Sequence, residues 1–349
     1  MPLSRLIKTI NLENTDAIAH NETLDHPAFI KKITGIDPFE RPQDAMLAVV
    51  RALDMDWMYG IPKGSNKFEK GESKRKTATG YVTEWGFTGS GWSEGKAYTE
   101  EEVLAFEPML EFGGKEAMIK RKKAEIAYVL SDQALAGEDF GVSGLYYTTL
   151  FQWFILIFGW DMFLVCAAAY PDEFEFVLNR FAEISELYAH VYAESDLPFF
   201  FCHDDLAITR GLVFRPEWYR KYIFPAYERI FAPFKKTGKK IIFVSDGNYI
   251  ELVDDLFAAG ADGIMVDWTF DLNYLLKTYG KNKIIIGNAD TCVLTLGSRQ
   301  DVKKEAMRCL DAGRDCPGYI IKCSNDLPHN IPLDNMLEYF DVIYNNKNR

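Results

Sequence analysis

Five times in its second half the chain runs through a short apolar stretch and stops at a polar cluster. "LPFFFCHDD" ends at His203, Asp204 and Asp205, "KKIIFVSDGN" at Asp246, "DGIMVDW" at Asp267, "NKIIIGNAD" at Asn288 and Asp290, and "GYIIKCSND" at Ser324, Asn325 and Asp326. Uninterrupted apolar runs of this length suit strands buried on both faces of a parallel sheet. Parallel neighbours need a crossover connection, and the intervening "YIELVDDLFAAGA" and "RQDVKKEAMRCLDAG" have the amphipathic pattern of crossover helices. Successive βα units with polar residues at the C-terminal strand ends predict an α/β fold, a (β/α)8 TIM barrel whose active site is built from those ends. An open doubly wound sheet is the competing architecture. No GxGxxG loop follows the first strand, which favours the barrel.

The first half is less regular. "LDMDWMYGIP" and "TGYVTEWGF" read as strands, and "TGSGWSEGKAYTEEEVLAFEP" as a glycine-rich loop and short helix over the barrel mouth. Residues 1–50 read as an N-terminal helical extension of a single barrel domain spanning 1–349. "TLFQWFILIFGWDMFLVCAAAY" is apolar enough to raise a bilayer span, but Gln152, Gly159 and Asp161 interrupt it, and a buried helix pair is expected instead. A net charge of −12 would repel phosphate backbones, so nucleic acid is not an expected partner. The lysine runs at 67–76 and 120–123 lie beside glutamates and read as solvated faces. Six cysteines with no CxxC spacing fit reduced thiols, and the N-terminus lacks a signal-peptide core; a cytoplasmic protein without a membrane anchor is expected.

Each polar strand end has a plain structural explanation, because Asp and Asn cap helices. That suffices for Asp267 and Asn248, each placed to cap the helix after it. It does not suffice for three ionisable side chains in a row at the end of an apolar strand, where carboxylates around an imidazole shift one another's pKa. His203, Asp205 and Asp246 are therefore the candidate catalytic residues, with Asp204, Asn288 and Asn325 as polar substrate contacts. Gly247 is expected to let the backbone turn where a side chain would crowd the ligand. In "TEWGFTGSGW", Glu84, Trp85 and Trp92 are further substrate-binding candidates, the tryptophans offering a flat wall for an aromatic ring.

The run "HDDLAITRGLVFRPEWYRKYIFPAYERI", "FVSDGN", "AAGADGIMVDW", "IIGNAD" and "GYIIKCSNDLPHNIPLDN" resembles, in order and spacing, the uroporphyrinogen decarboxylase-type superfamily. The resemblance implies a (β/α)8 barrel and either tetrapyrrole decarboxylation or corrinoid-linked methyl transfer. Coenzyme M methyltransferases of that superfamily carry His-x-Cys where this chain has Val244, Ser245 and Asp246, and a later Cys where it has Asn325. A thiolate zinc site is thus not expected, although zinc held by oxygen ligands remains an alternative Lewis acid. A polycarboxylate porphyrinogen calls for arginines, whereas these strand ends carry aspartates, with Arg210 the nearest guanidinium. The expected activity is therefore methyl transfer from a small methoxylated, plausibly aromatic, substrate to Co(I) of a corrinoid on a separate partner protein, as in O-demethylase components. Decarboxylation is the alternative, and a non-catalytic tetrapyrrole-binding barrel the third reading.

Overall fold

All five apolar runs are strands: Phe199–His203, Lys240–Val244, Gly263–Met265, Ile284–Ile286 and Tyr319–Ile321. The computed structural model describes residues 1–62, 73–76, 82–85, 91–94 and 97–349, and the chain divides into two compact units.

The first unit comprises Met1–Glu69, Val129–Ser143 and Asp262–Arg349. Its parallel sheet runs in the order Ala19–His20, Tyr319–Ile321, Ile284–Ile286, Gly263–Met265. Ile284, Ile285, Ile286, Ile320 and Ile321 are all buried, which is why these strands are apolar without alternation. Residues 1–50 are not only a helical extension. They hold the helices Pro2–Ile10, Pro27–Thr34 and Pro42–Ala52, but also the 19–20 strand, too short to stand out by periodicity. A parallel bridge from Asn21 to Trp57 brings in the pair Trp57–Met58 and Gly141–Val142. Buried charges pin the chain ends to this sheet. Arg5 binds Asp56 at 2.7 Å and Asp54 at 2.8 Å, Lys347 binds Asp54 at 2.6 Å, and the second Asp56 oxygen accepts the His20 N–H at 2.8 Å.

The second unit comprises Lys70–Tyr128 and Gly144–Ala261. Its parallel strands are Gly144–Tyr147, Phe199–His203 and Lys240–Val244, with His203 in register between Tyr147 and Val244. The segment read as a glycine-rich loop carries a strand instead: Gly91–Glu94 pairs antiparallel with Val82–Trp85, which pairs with Ser73–Lys76. The short helix after it is Glu100–Leu104, opened by a Thr99/Glu102 capping box.

Phe151–Ala169 is, among the described residues, the one helix long and apolar enough to cross a membrane. It is broken at Gly159, whose φ of 78° and ψ of 164° are not helical, so the segment is the expected helix pair. Its aromatic side chains pack inward: Phe154 lies 4.8 Å from Phe174 and 4.9 Å from Phe181, and Phe151 lies 4.9 Å from Phe163, centroid to centroid. Nothing lies within 4 Å of where a Gly159 Cβ would stand, so the requirement for glycine is purely conformational. Gly159→Ala should therefore cost about 1–3 kcal/mol, the range for a side chain forced into a glycine-only backbone region. Urea denaturation checks this; an unchanged midpoint would mean that the two helices can run on as one.

Candidate functional site

Three of the expected residues meet within the second unit. His203 ends the 199–203 strand, and its Nε2 lies 3.2 Å from Asp205 Oδ1. The same Asp205 oxygen accepts the Asp246 backbone N–H at 3.0 Å, while Gln152 donates to the other at 3.1 Å. Tyr147 stacks on the imidazole at 4.5 Å and 23°, so the ring is fixed by its edge and by one face. Its Nδ1 is buried and has no hydrogen-bond partner among the described residues.

Burial opposes protonation of His203, but the Asp205 hydrogen bond and the charges of Asp205, Asp246 and Asp204 outweigh it and hold the imidazole's pKa above its ordinary value. For Asp205, burial favours the neutral acid; the His203 hydrogen bond and charge and the Asp246 N–H overcome it and lower the carboxyl's pKa. Both shifts favour the charged pair, imidazolium beside carboxylate, over the neutral one, and Nδ1 is the ring nitrogen that Asp205 does not engage. That is the constitution of a general acid.

Asp204 is not a ligand contact. It is fully buried and accepts the backbone N–H groups of Leu150, Phe151 and Gln152 at 2.5–2.8 Å, and the Tyr227 hydroxyl at 2.6 Å. These are the unpaired N–H groups at the start of the 151–169 helix, which has no cap of its own. Gly247 also differs from expectation. Its φ is 75°, and a Cβ would stand 2.5 Å from the Ile208 carbonyl, so the chain's own backbone, not a ligand, forbids a side chain. Asn248 accepts the Ile250 N–H at 3.2 Å and opens the turn Ile250–Leu252.

Asn288 and Asn325 belong to the first unit. Asn288 is buried; its amide donates to the carbonyls of Asp267 and Phe270 and its oxygen accepts from Arg308 at 3.1 Å, so its polar atoms serve the fold and not a substrate. Asn325 is exposed, and its oxygen accepts the Asp326 N–H at 2.8 Å. Asp267 does not cap the following helix but folds back on Thr269; Asp271 is the cap of Leu272–Tyr279. Glu84, Trp85 and Trp92 lie on the antiparallel strands, in register at Glu84 and Trp92, and their side chains fall outside the described residues. Sequence reasoning missed Gln152 and Tyr147. Gln152 was the polar interruption of an apolar segment, a signal that could have marked it; Tyr147 ends a four-residue strand that opens on Gly144 and is too short to show a period.

The model of one protein family, uroporphyrinogen decarboxylase (URO-D), matches residues 158–345. The chain belongs to this family. It is similar to the uroporphyrinogen decarboxylases of Carboxydothermus hydrogenoformans, 28% identical over 131 residues covering 37% of this chain and 36% of that protein, and of Syntrophotalea carbinolica, 23% identical over 174 residues covering 50% and 49%. The chain thus spans half or less of the length of these relatives. Its fold is similar to that of a methyltransferase from Methanosarcina mazei, with a TM-score of 0.68 at 14% identity over 98% of each chain. Among the described residues of this URO-D chain no three His, Cys, Asp or Glu side chains gather as a metal site.

The His203–Asp205 pair can be read directly. In an NMR titration His203 should show a pKa above its ordinary 6.5, and Asp205→Asn should lower it, because burial then meets less opposition. A folded pKa above the unfolded one stabilises the protein fully below about pH 6.5, and the gain is lost as pH rises through the folded value. The stability difference between wild type and Asp205→Asn should shrink over that window. Asp204→Ala should destabilise at every neutral pH, by about 3 kcal/mol or more, since it strands several buried donors at once; chemical denaturation measures it.

Proposed function

We propose that this URO-D family chain, on a closed (β/α)8 barrel, is a cytoplasmic corrinoid-dependent methyltransferase. It takes the methyl group of a small methoxylated, plausibly aromatic, compound to a corrinoid held by a separate protein. The observation that carries this reading is His203: oriented through Nε2 by Asp205, biased toward its protonated form, and left with an unpartnered Nδ1.

The Co(I) corrinoid supplies the nucleophile that accepts the methyl group. What the chain must supply is a proton for the leaving oxygen, since an alkoxide or phenoxide departs poorly. His203 Nδ1–H donates it as the C–O bond breaks, and the resulting neutral imidazole stays hydrogen-bonded to Asp205. Asp246, the exposed carboxyl beside the pair, favours the imidazolium in the resting state. Glu84, Trp85 and Trp92 are the proposed substrate contacts, the tryptophans by stacking.

A second reading is decarboxylation of a tetrapyrrole, the activity named for the curated relatives. Against it, the second unit's strand ends offer Asp205 and Asp246 where a polycarboxylate needs cations.

The test is a methyl-transfer assay with reduced cobalamin and a panel of methoxyaromatics, methylamines and methylthiols, read from the cobalamin spectrum. Methoxyaromatics should be turned over. His203→Gln and Asp246→Asn should each lower the rate by about a hundredfold or more with little change in melting temperature. Tight uroporphyrin binding with CO2 release, and no methyl transfer, would put the second reading first.

A further inference from the structure

The first unit holds a buried cation that the proposed chemistry does not use. Lys322 is 3% exposed, and its one polar partner is the Thr23 hydroxyl at 3.3 Å. No carboxylate among the described residues lies within ion-pairing distance of it. Burying an ammonium without a counter-charge is unfavourable, and a neutral hydroxyl satisfies one of its three N–H groups.

The strand register shows where this side chain belongs. His20 pairs with Ile321, and the ladder continues, with the Asn21 N–H donating to the Ile321 carbonyl and the Ala289 N–H to the Lys322 carbonyl. His20 packs on Tyr339 and Phe340 of the Leu333–Asn346 helix. By the alternation of strand side chains, Asn21, Thr23 and Lys322 share the face turned away from that helix. Glu22, the nearest carboxylate in sequence, is on the other face, where it accepts the Cys323 N–H at 3.0 Å and the Tyr339 hydroxyl at 2.6 Å.

Asn21 adds an independent observation. It is fully buried, and its amide nitrogen donates to the Trp57 carbonyl at 2.7 Å. A carbonyl partner requires the nitrogen there, so the orientation of the amide is settled and its oxygen faces the other way, buried and without a partner. Side by side on one sheet face stand a cation with donors to spare and an acceptor lacking a donor.

We propose that Asn21, Thr23 and Lys322 form a binding site for a 2-hydroxycarboxylate, the carboxylate on Lys322 and the hydroxyl donating to Asn21 Oδ1. The same two chain segments run on into the parallel pair Leu24–Asp25 and Leu327–Pro328, where burial and the charge of Asp326 push the Asp25 carboxyl up to about 6. Such carboxyls repel a dianion such as phosphate more than a monoanion. The inference stands apart from the methyl-transfer reading, since binding is measured without corrinoid.

The experiment titrates the full chain with mandelate, with mandelamide, which lacks the charge, and with phenylacetate, which lacks the hydroxyl, by calorimetry and melting temperature. Mandelate should bind tighter than either analogue by about tenfold or more, as loss of a hydrogen bond to a charged or buried unpaired group implies. Lys322→Met should abolish the preference for mandelate over mandelamide while leaving the unliganded melting temperature unchanged or higher, because it removes an unpaired buried charge. The proposal is overturned if wild-type protein does not prefer mandelate to both analogues, which needs no variant to fold. It is equally overturned if Lys322→Met retains the preference, or if it lowers the melting temperature of the unliganded protein, which would make Lys322 a structural residue.

Discussion

The carboxylate of Asp204 is the constraint around which the second unit is arranged. A buried charge is tolerable only when its lone pairs are filled, and here four donors fill them: the first N–H groups of an uncapped helix and one tyrosine hydroxyl. The contact ties the end of the 199–203 strand to the start of the 151–169 helix and to the Phe224–Lys236 helix that carries Tyr227. Its neighbours in the chain inherit that rigidity. His203 and Asp205, one residue to either side, meet at 3.2 Å.

The first unit solves the same problem with pairs of charges. Arg5, Asp54, Asp56 and Lys347 neutralise one another where the two chain termini meet the sheet, and Arg308 with Glu305 holds the loop that carries Asn288. Removing one partner of the buried Arg5–Asp56 pair leaves a charge in a dry environment, so that pair behaves as a lock more than as a source of net stability. Lys322 is the exception that makes the pattern informative, since it alone among these buried cations has a neutral partner.

Membership of the URO-D family accounts for the succession of strands with polar ends, but not for the chemistry those ends perform. A scaffold of parallel strands presents its C-terminal ends to whatever reaction the side chains there support. In this chain those ends carry His203 oriented by Asp205, with Asp246 exposed beside the pair.

Much of this was legible without coordinates. Five buried strands and the helix pair broken near Gly159 follow from period and composition, because a strand buried on both faces has to be apolar and a polar stop has to be the end of it. What the sequence could not assign was which of several identical side chains does which job. Asp204, Asp205, Asp246 and Asp267 are the same residue in the same local setting, yet one caps a helix fifty residues away, one orients an imidazole, one is exposed beside it and one folds back on Thr269. Those assignments depend on contacts between segments far apart in the chain, where register and helix placement decide which donors a carboxylate meets. The 19–20 strand was hidden for a related reason: two residues carry no periodicity, and only pairing with the 319–321 strand makes them a strand at all.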